Sequence, residues 1–173
     1  ASVEGFYYKP RVDYKTIAEH KEGLICLSAC IAGDIPQLLL SGQKQKAYEL
    51  ASMLKEIFGG DFYLEIQDHG LAEQKRVNPL LIAMGRELGI GLVATNDSHY
   101  IHKEDARAQE ILMCLQMGRT LDEGGLLETE EFYLKSGEQM SALFGDVPEA
   151  IENTVKIAEQ CNVEIEMGRI QLP

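Results

Sequence analysis

Three times along the chain a short apolar run gives way to a polar cluster and then to a stretch with apolar residues at helical spacing. The first run covers residues 23–28 (GLICLS) and is followed by helix-like stretches at 35–40 and 45–58. The second is Phe62–Ile66 (FYLEI), followed by Ala72–Leu88, and the third is 90–95 (IGLVAT), followed by 105–117. Continuous Leu, Ile and Val with little alternation marks strands covered on both faces. The pattern therefore predicts an α/β fold whose strands are mostly parallel and are joined by crossover helices.

Turn chemistry falls between these units. Gly59-Gly60 and Gly89 follow helical stretches, where a left-handed glycine ends a helix at little cost. Pro36 sits in the first turn of a helix that Asp34 is placed to cap. After Gly118 the pattern loosens, and the acidic, Gly-containing stretch 120–131 reads as a surface loop. Residues 132–134 suit a short strand, 136–144 a helix capped by Ser136, and 148–161 an amphipathic helix carrying Ile151, Val155 and Ile157 or Ala158. There is no internal repeat and no interdomain linker, so residues 1–173 read as one unit.

Charge narrows the function. With 28 Asp+Glu against 16 Lys+Arg in 173 residues the formal charge is −12, and such a surface repels phosphate backbones. A nucleic-acid role must then be local or belong to other parts of a larger molecule. No apolar run reaches the roughly 18–20 residues of a membrane span, and residues 1–10 lack the profile of a signal peptide. The four cysteines (Cys26, Cys30, Cys114, Cys161) are too scattered for a disulfide scaffold and read as thiols of a cytoplasmic protein. The first residue is Ala1, which suits a chain cut from something longer.

In α/β folds ligands bind beyond the carboxyl ends of the parallel strands. The residues just past the three predicted strands are Cys30, then Asp68-His69, then Asp97-Ser98-His99-Tyr100, all of them including metal-ligand types. An Asp-x-His pair leaving a strand projects carboxylate and imidazole to the same side, where both can meet divalent ions such as Zn²⁺ or Mn²⁺. The plainer alternative makes Asp97 a helix cap and His99 a surface histidine. Cys30 suits either a ligand or a small buried hydrophobe, and His69 either a ligand or a hydrogen-bonding partner of a neighbouring loop. Cys26, Cys114 and Cys161 read as core, His20 and His102 as solvated. The chain has no phosphate-binding Gly-x-x-x-x-Gly-Lys-Ser/Thr loop, no Gly-x-Gly-x-x-Gly and no Gly-x-Ser-x-Gly elbow. The aromatic and basic run Phe6-Tyr7-Tyr8-Lys9-Pro10-Arg11 reads as a strap packed on the side of the fold, with Arg11 pairing an acidic neighbour.

A family likeness adds to this. Gly5-Phe6-Tyr7-Tyr8-Lys9-Pro10-Arg11-Val12-Asp13, Gly23-Leu24-Ile25 with Ser28-Ala29-Cys30, Phe62 to Gln67 with His69-Gly70, Val93 to Tyr100, and Phe132 to Ser136 occur in the order found in the PHP (polymerase and histidinol phosphatase) domain of bacterial replicative DNA polymerases, which the chain resembles over nearly its whole length. The ending, Asn153-Thr154, Ile157 to Cys161 and Leu172-Pro173, resembles the stretch that leads from that domain toward the polymerase region, so 136–173 is expected to be a helical segment running that way. The resemblance implies part of a distorted seven-stranded β/α (TIM-like) barrel with a cluster of divalent metals at its rim. It makes Cys30, Asp97 and His99 metal ligands, with Zn or Mn the ions expected and Mg for the parent polymerase. It assigns no ligand role to His69.

The chain also departs from the family. It has no His-x-His strand, so it resembles the carboxyl-terminal portion of the domain, with at best a partial metal site and open sheet edges that invite a homodimer. By the same resemblance the parent binds DNA and works with a proofreading exonuclease and other replicase subunits, with metal-dependent 3′-5′ exonuclease activity expected of complete relatives. This acidic portion alone would neither bind DNA nor be active. Two alternatives stand beside that reading: a free-standing metal-dependent phosphoesterase of the histidinol-phosphatase type, and a noncatalytic scaffold with a vestigial site.

Overall fold

A computed structural model of the chain describes residues 5–123 and 126–168; the likeness at Leu172-Pro173 lies outside the described residues. The chain opens with a hairpin of two-residue strands, β1 (Phe6–Tyr7) and β2 (Lys9–Pro10), and a short helix, α1 (Tyr14–Glu19). Strand β3 (Cys26–Leu27) is followed by helices α2 (Asp34–Leu40) and α3 (Lys44–Phe58). Strand β4 (Phe62–Ile66) is followed by α4 (Ala72–Leu88), and β5 (Gly91–Ala94) by α5 (Ala106–Met117). Helices α6 (Gly137–Leu143) and α7 (Pro148–Gln160) complete the described fold.

Strands β3, β4 and β5 form a parallel sheet in that order, with Cys26 opposite Phe62, Tyr63 opposite Gly91 and Ile66 opposite Ala94. Helices provide the connections because parallel neighbours cannot be joined by a tight turn. One face of the sheet, Phe62, Leu64, Ile66, Leu92 and Ala94, packs on Ile35, Leu39, Ala47, Ala51, Leu54, Val77, Leu81 and Met84. The α3 residues 47, 51 and 54 and the α4 residues 77, 81 and 84 each follow the i, i+4, i+7 rule for one helix face.

The outer edge of β5 is covered by α7. Thr95 N–H pairs inward with Ile66 O at 3.1 Å, so alternation turns the Leu92 carbonyl outward, where Asn153 Nδ2 donates to it at 2.8 Å. A side chain thereby supplies the bond that a further strand would make. On the inner side β5 needs a glycine where it pairs with β4: a Cβ on Gly91 would stand 2.8 Å from the Tyr63 ring.

Several expectations change. Among the described residues the parallel sheet has three strands, not the seven of a barrel, and the run 132–134 contributes a single parallel bridge, Tyr100 to Tyr133. The first strand shrinks from 23–28 to two residues because the backbone turns at both ends, with positive φ at Gly23 (73°) and Ala29 (65°). Gly33, not Asp34, caps α2; the Asp34 carboxylate instead accepts from Tyr14 OH at 2.6 Å. Val155 is 57% exposed, because the face α7 turns inward carries the buried Ala150 and the partly buried 151, 153, 154 and 157. Cys161 ends that helix in the open, so it is not core. Residues 6–14 are exposed, and Arg11 lies over the Tyr7 ring, 5.7 Å from its centroid, so the aromatic run is a free hairpin and not a packed strap.

The loop after β3 has little tolerance. A Cβ on Gly33 would lie 2.5 Å from Ser28 O, and Ala29 holds a left-handed conformation that costs an L residue about 1–2 kcal/mol. Gly33→Ala is expected to destabilise the chain by about 1–3 kcal/mol. Ala29→Gly relieves the backbone and should leave stability level or slightly raised; urea titrations of both variants check the contrast.

Candidate functional site

Parallel strands deliver their following loops to one end of the sheet. There a cavity of about 250 Å³ is lined by Cys30, Ile31, Gln67, Leu71, Gln74, Asp97, His99, Met113, Leu126, Leu127, Glu128 and Phe132. The three residues predicted as ligands, separated by nearly seventy positions in the chain, thus share one cavity wall. His69 is close by but does not line it.

Each donor is placed by local bonding. Ser28 extends the β3–β4 ladder past the strand end, its N–H donating to Tyr63 O (3.1 Å) and its hydroxyl accepting from Glu65 N–H (2.8 Å). The chain then turns through Ala29, and a tight turn closed by Gly33 N–H to Cys30 O (2.8 Å) presents the Cys30 thiol. Past the end of β5 the chain bends, with Ser98 N–H donating to Asn96 O at 2.8 Å, and both Asp97 and His99 line the cavity. His99 N–H donates to Phe132 O (2.8 Å), and its Nδ1 lies 3.0 Å from Asp97 O and 3.7 Å from Asp97 Oδ1. A carbonyl only accepts, so Nδ1 carries the proton and Nε2 keeps the lone pair a metal ion would use.

Behind this wall the sheet is polar. Gln67 Nε2 donates to Thr95 Oγ1 (3.0 Å) and to Glu65 Oε1 (3.2 Å), Thr95 also bonds Glu65, and Asn78 Nδ2 donates to Gln67 O (2.8 Å). Strands β4 and β5 are covered on both faces, as expected: one face packs in the core, and on the other the buried Tyr63 and Val93 give way at the strand ends to the hydrogen-bonded Glu65, Gln67 and Thr95.

His69 is 1% exposed and clamped by Gln74. The Gln74 Oε1 accepts from His69 N–H (2.7 Å) and its Nε2 donates to Nδ1 (2.9 Å), which assigns the ring proton to Nε2. Among the described residues Nε2 has no partner at hydrogen-bonding geometry. The ring stacks on Phe132 at 4.5 Å and 14°, and Phe132 meets His99 edge-on at 5.0 Å and 70°. Lys135, its side chain 3% exposed, sits 4.3 Å over the Tyr133 ring with its ammonium 3.5 Å from Glu131 Oε2. Burial lowers its pKa against the pull of Glu131.

The donor set is therefore partial. Thiolate, carboxylate and imidazole suit a borderline divalent ion, yet among the described residues no three His, Cys, Asp or Glu side chains are gathered closely enough to hold one. His20 binds Thr16 O (2.9 Å), and His102 opens a short turn with its N–H on Asp105 (3.0 Å); both lie on the surface, as expected. Cys26 is half-buried, its thiol pKa pushed up by burial, and Cys114 is buried. Gln74, Gln67 and Phe132 were missed. Gln74 is a buried amide in the first turn of α4, and its only local signal is the polar Asp68-His69 before that helix.

A sheet edge feeding polar loops and metal-type donors into one cavity is the arrangement that the PHP domain predicts, and residues 1–69 match the sequence model of the PHP domain family. The chain is 51% identical over 176 aligned residues, all of its own length, to DNA polymerase III subunit alpha of Treponema pallidum, and 51% identical over 162, or 92% of its length, to that of Borreliella burgdorferi. Against the subunit of Deinococcus radiodurans the identity is 43% over 96% of the chain. The match to the PHP domain family covers residues 1–69, and the likeness to bacterial DNA polymerase III alpha subunits runs along nearly the whole chain, which spans 13–15% of the length of these three relatives. Among the described residues no helix is long and apolar enough to cross a membrane.

Burial holds the His69 pKa below the ordinary histidine value, and the nearby positive Lys135 acts the same way, against Asn96, Asp97 and Asp68. The folded ring is therefore neutral where the unfolded one begins to protonate. Below about pH 6.5 the unfolded state binds more protons, so stability falls with pH. Urea midpoints measured from pH 7.5 to 5.5 are expected to drop, and the drop should shrink in His69→Phe.

Proposed function

We propose that this chain is the PHP-domain portion of a replicative DNA polymerase whose whole chain carries out DNA-directed DNA synthesis with Mg²⁺, and that Cys30, Asp97 and His99 are its contribution to a divalent metal site binding Zn²⁺ or Mn²⁺. The single observation that supports the site is the convergence of these three donors on one cavity wall, with the His99 Nδ1 proton committed to the Asp97 carbonyl. Zinc needs four donors, and this chain offers three, so the rest of the polymerase supplies the remaining ones, together with the strands that extend the sheet into a seven-stranded barrel. The stretch that carries α6 and α7 leads toward the polymerase region. An ion held there would activate water and steady the leaving oxygen of a phosphodiester. The chain's own residues keep the Nε2 lone pair of His99 available, hold Asp97 beside it, and bring the Cys30 thiol over from the neighbouring loop.

Identity to polymerase alpha subunits across the whole chain favours this reading over a free-standing phosphoesterase. DNA, the proofreading exonuclease and other replicase subunits are partners of the whole protein, which is cytoplasmic in this reading. The acidic portion described above repels nucleic acid instead of attracting it.

The test uses the intact polymerase carrying this segment. Elemental analysis is expected to find Zn or Mn in the wild type and to lose at least one ion in Asp97→Ala, His99→Ala and Cys30→Ser, while Mg²⁺-dependent primer extension persists. Unchanged metal content in all three variants would remove these residues from the site, and a protein without primer extension would remove the polymerase assignment. A metal-loaded wild type that removes no 3′ nucleotides with any divalent ion would establish the noncatalytic scaffold.

A further inference from the structure

We infer that His69 is a positioning residue for His99, acting through Phe132. The inference deepens the metal-site reading above and rests on it for its functional meaning. Phe132 is held on two sides. Its carbonyl accepts from His99 N–H at 2.8 Å and from Tyr100 N–H at 3.4 Å, which fixes its backbone against the Asp-x-His segment. Its ring packs against two imidazoles: His69 lies parallel to it at 4.5 Å, and His99 meets it in a T-shaped contact at 5.0 Å. With Phe132 fixed, its ring limits the rotation of the His99 ring, whose Nδ1 bond to Asp97 O sets the remaining angle.

His69 can bear on Phe132 because it cannot itself move. Gln74 grips both its backbone N–H and its Nδ1, at 2.7 and 2.9 Å, and the side chain is buried. Both bonds come from one amide, so the ring plane is set relative to the first turn of α4. The buried Nε2–H, which meets no hydrogen-bond partner among the described residues, carries a desolvation cost that a Phe or Leu would avoid, so the position holds an imidazole at an expense that its Gln74 bonds and its stack offset. Groups behind a metal ligand that fix its orientation typically change affinity by about 10–100-fold when removed.

The experiment has a metal-free arm and a metal arm, both on the intact polymerase carrying this segment, with its histidines selectively labelled. Long-range ¹H–¹⁵N spectra of the wild type at neutral pH are expected to show His69 protonated on Nε2 and His99 on Nδ1. In His69→Ala, with folding checked from amide spectra, the Cε1–H and Cδ2–H resonances of His99 should move as the Phe132 ring shifts, and the Nδ1–H form should lose its dominance. In Phe132→Leu they should move likewise. His69→Phe keeps an aromatic face behind Phe132 and is expected to restore the His99 resonances toward their wild-type positions. Titration with Zn²⁺ alone should show affinity lowered about tenfold in His69→Ala and recovered in His69→Phe.

Unmoved His99 resonances in His69→Ala overturn the inference, and so does a His69→Phe variant as displaced as His69→Ala. If the wild type takes up no Zn²⁺ while His99 responds to His69 as described, the positioning stands and the metal reading of this chain fails. If Zn²⁺ binds through His99 equally well in every variant, the metal reading stands and the positioning fails.

Discussion

Three strands that run in the same direction must each return across a helix, and every return starts from the same end of the sheet. That constraint brings residues 28–33, 67–70 and 95–100 together although they are far apart in the chain. It is maintained by burial: Leu64, Phe62 and Ile66 are at most 1% exposed, and no shift of register by one residue could keep them on the helical side. The cavity at the carboxyl ends follows from the sheet and needs no separate explanation.

The two faces of the sheet carry different responsibilities. On the helical face apolar side chains from α2, α3 and α4 close the core, and the hydrophobic contribution to stability is concentrated there. On the other face Glu65, Gln67 and Thr95 bond one another, and the layer continues through Gln74 and His69 to Phe132. Buried polar groups are stable only when satisfied, so this layer fixes geometry where an apolar filling would allow several packings. The His69 Nε2 atom is a place where that satisfaction is incomplete, next to the residues that the site depends on.

Much of the fold was legible along the chain. Strand and helix alternation, the glycines that end α3 and α4, and the Ser136 cap of α6, whose hydroxyl accepts from Gln139 N–H at 3.2 Å, all follow from local spacing and turn chemistry. The errors fall where a neighbour decided the outcome. Val155 has the hydrophobicity of a core residue but lies off the stripe that α7 turns toward β5. Cys161 ends a helix whose last turn meets solvent. Among the described residues Arg11 meets no acid and lies over Tyr7. The role of His69 stayed open because its partners are five residues away in Gln74 and sixty-three residues away in Phe132, and a pattern of apolar periods carries no information about either.

The order of residues fixed which donors exist and that the strands ending beside them are parallel, because those properties depend on local composition and on apolar periodicity. The family likeness came from the same source. Folding in three dimensions decided that Cys30, Asp97 and His99 share one cavity wall, that the proton of His99 rests on Nδ1, and that an imidazole buried out of the cavity backs the aromatic ring between them. Those are matters of distance across the sheet end, and distance between remote segments is set only when the core closes and the polar layer has nowhere else to find its hydrogen bonds.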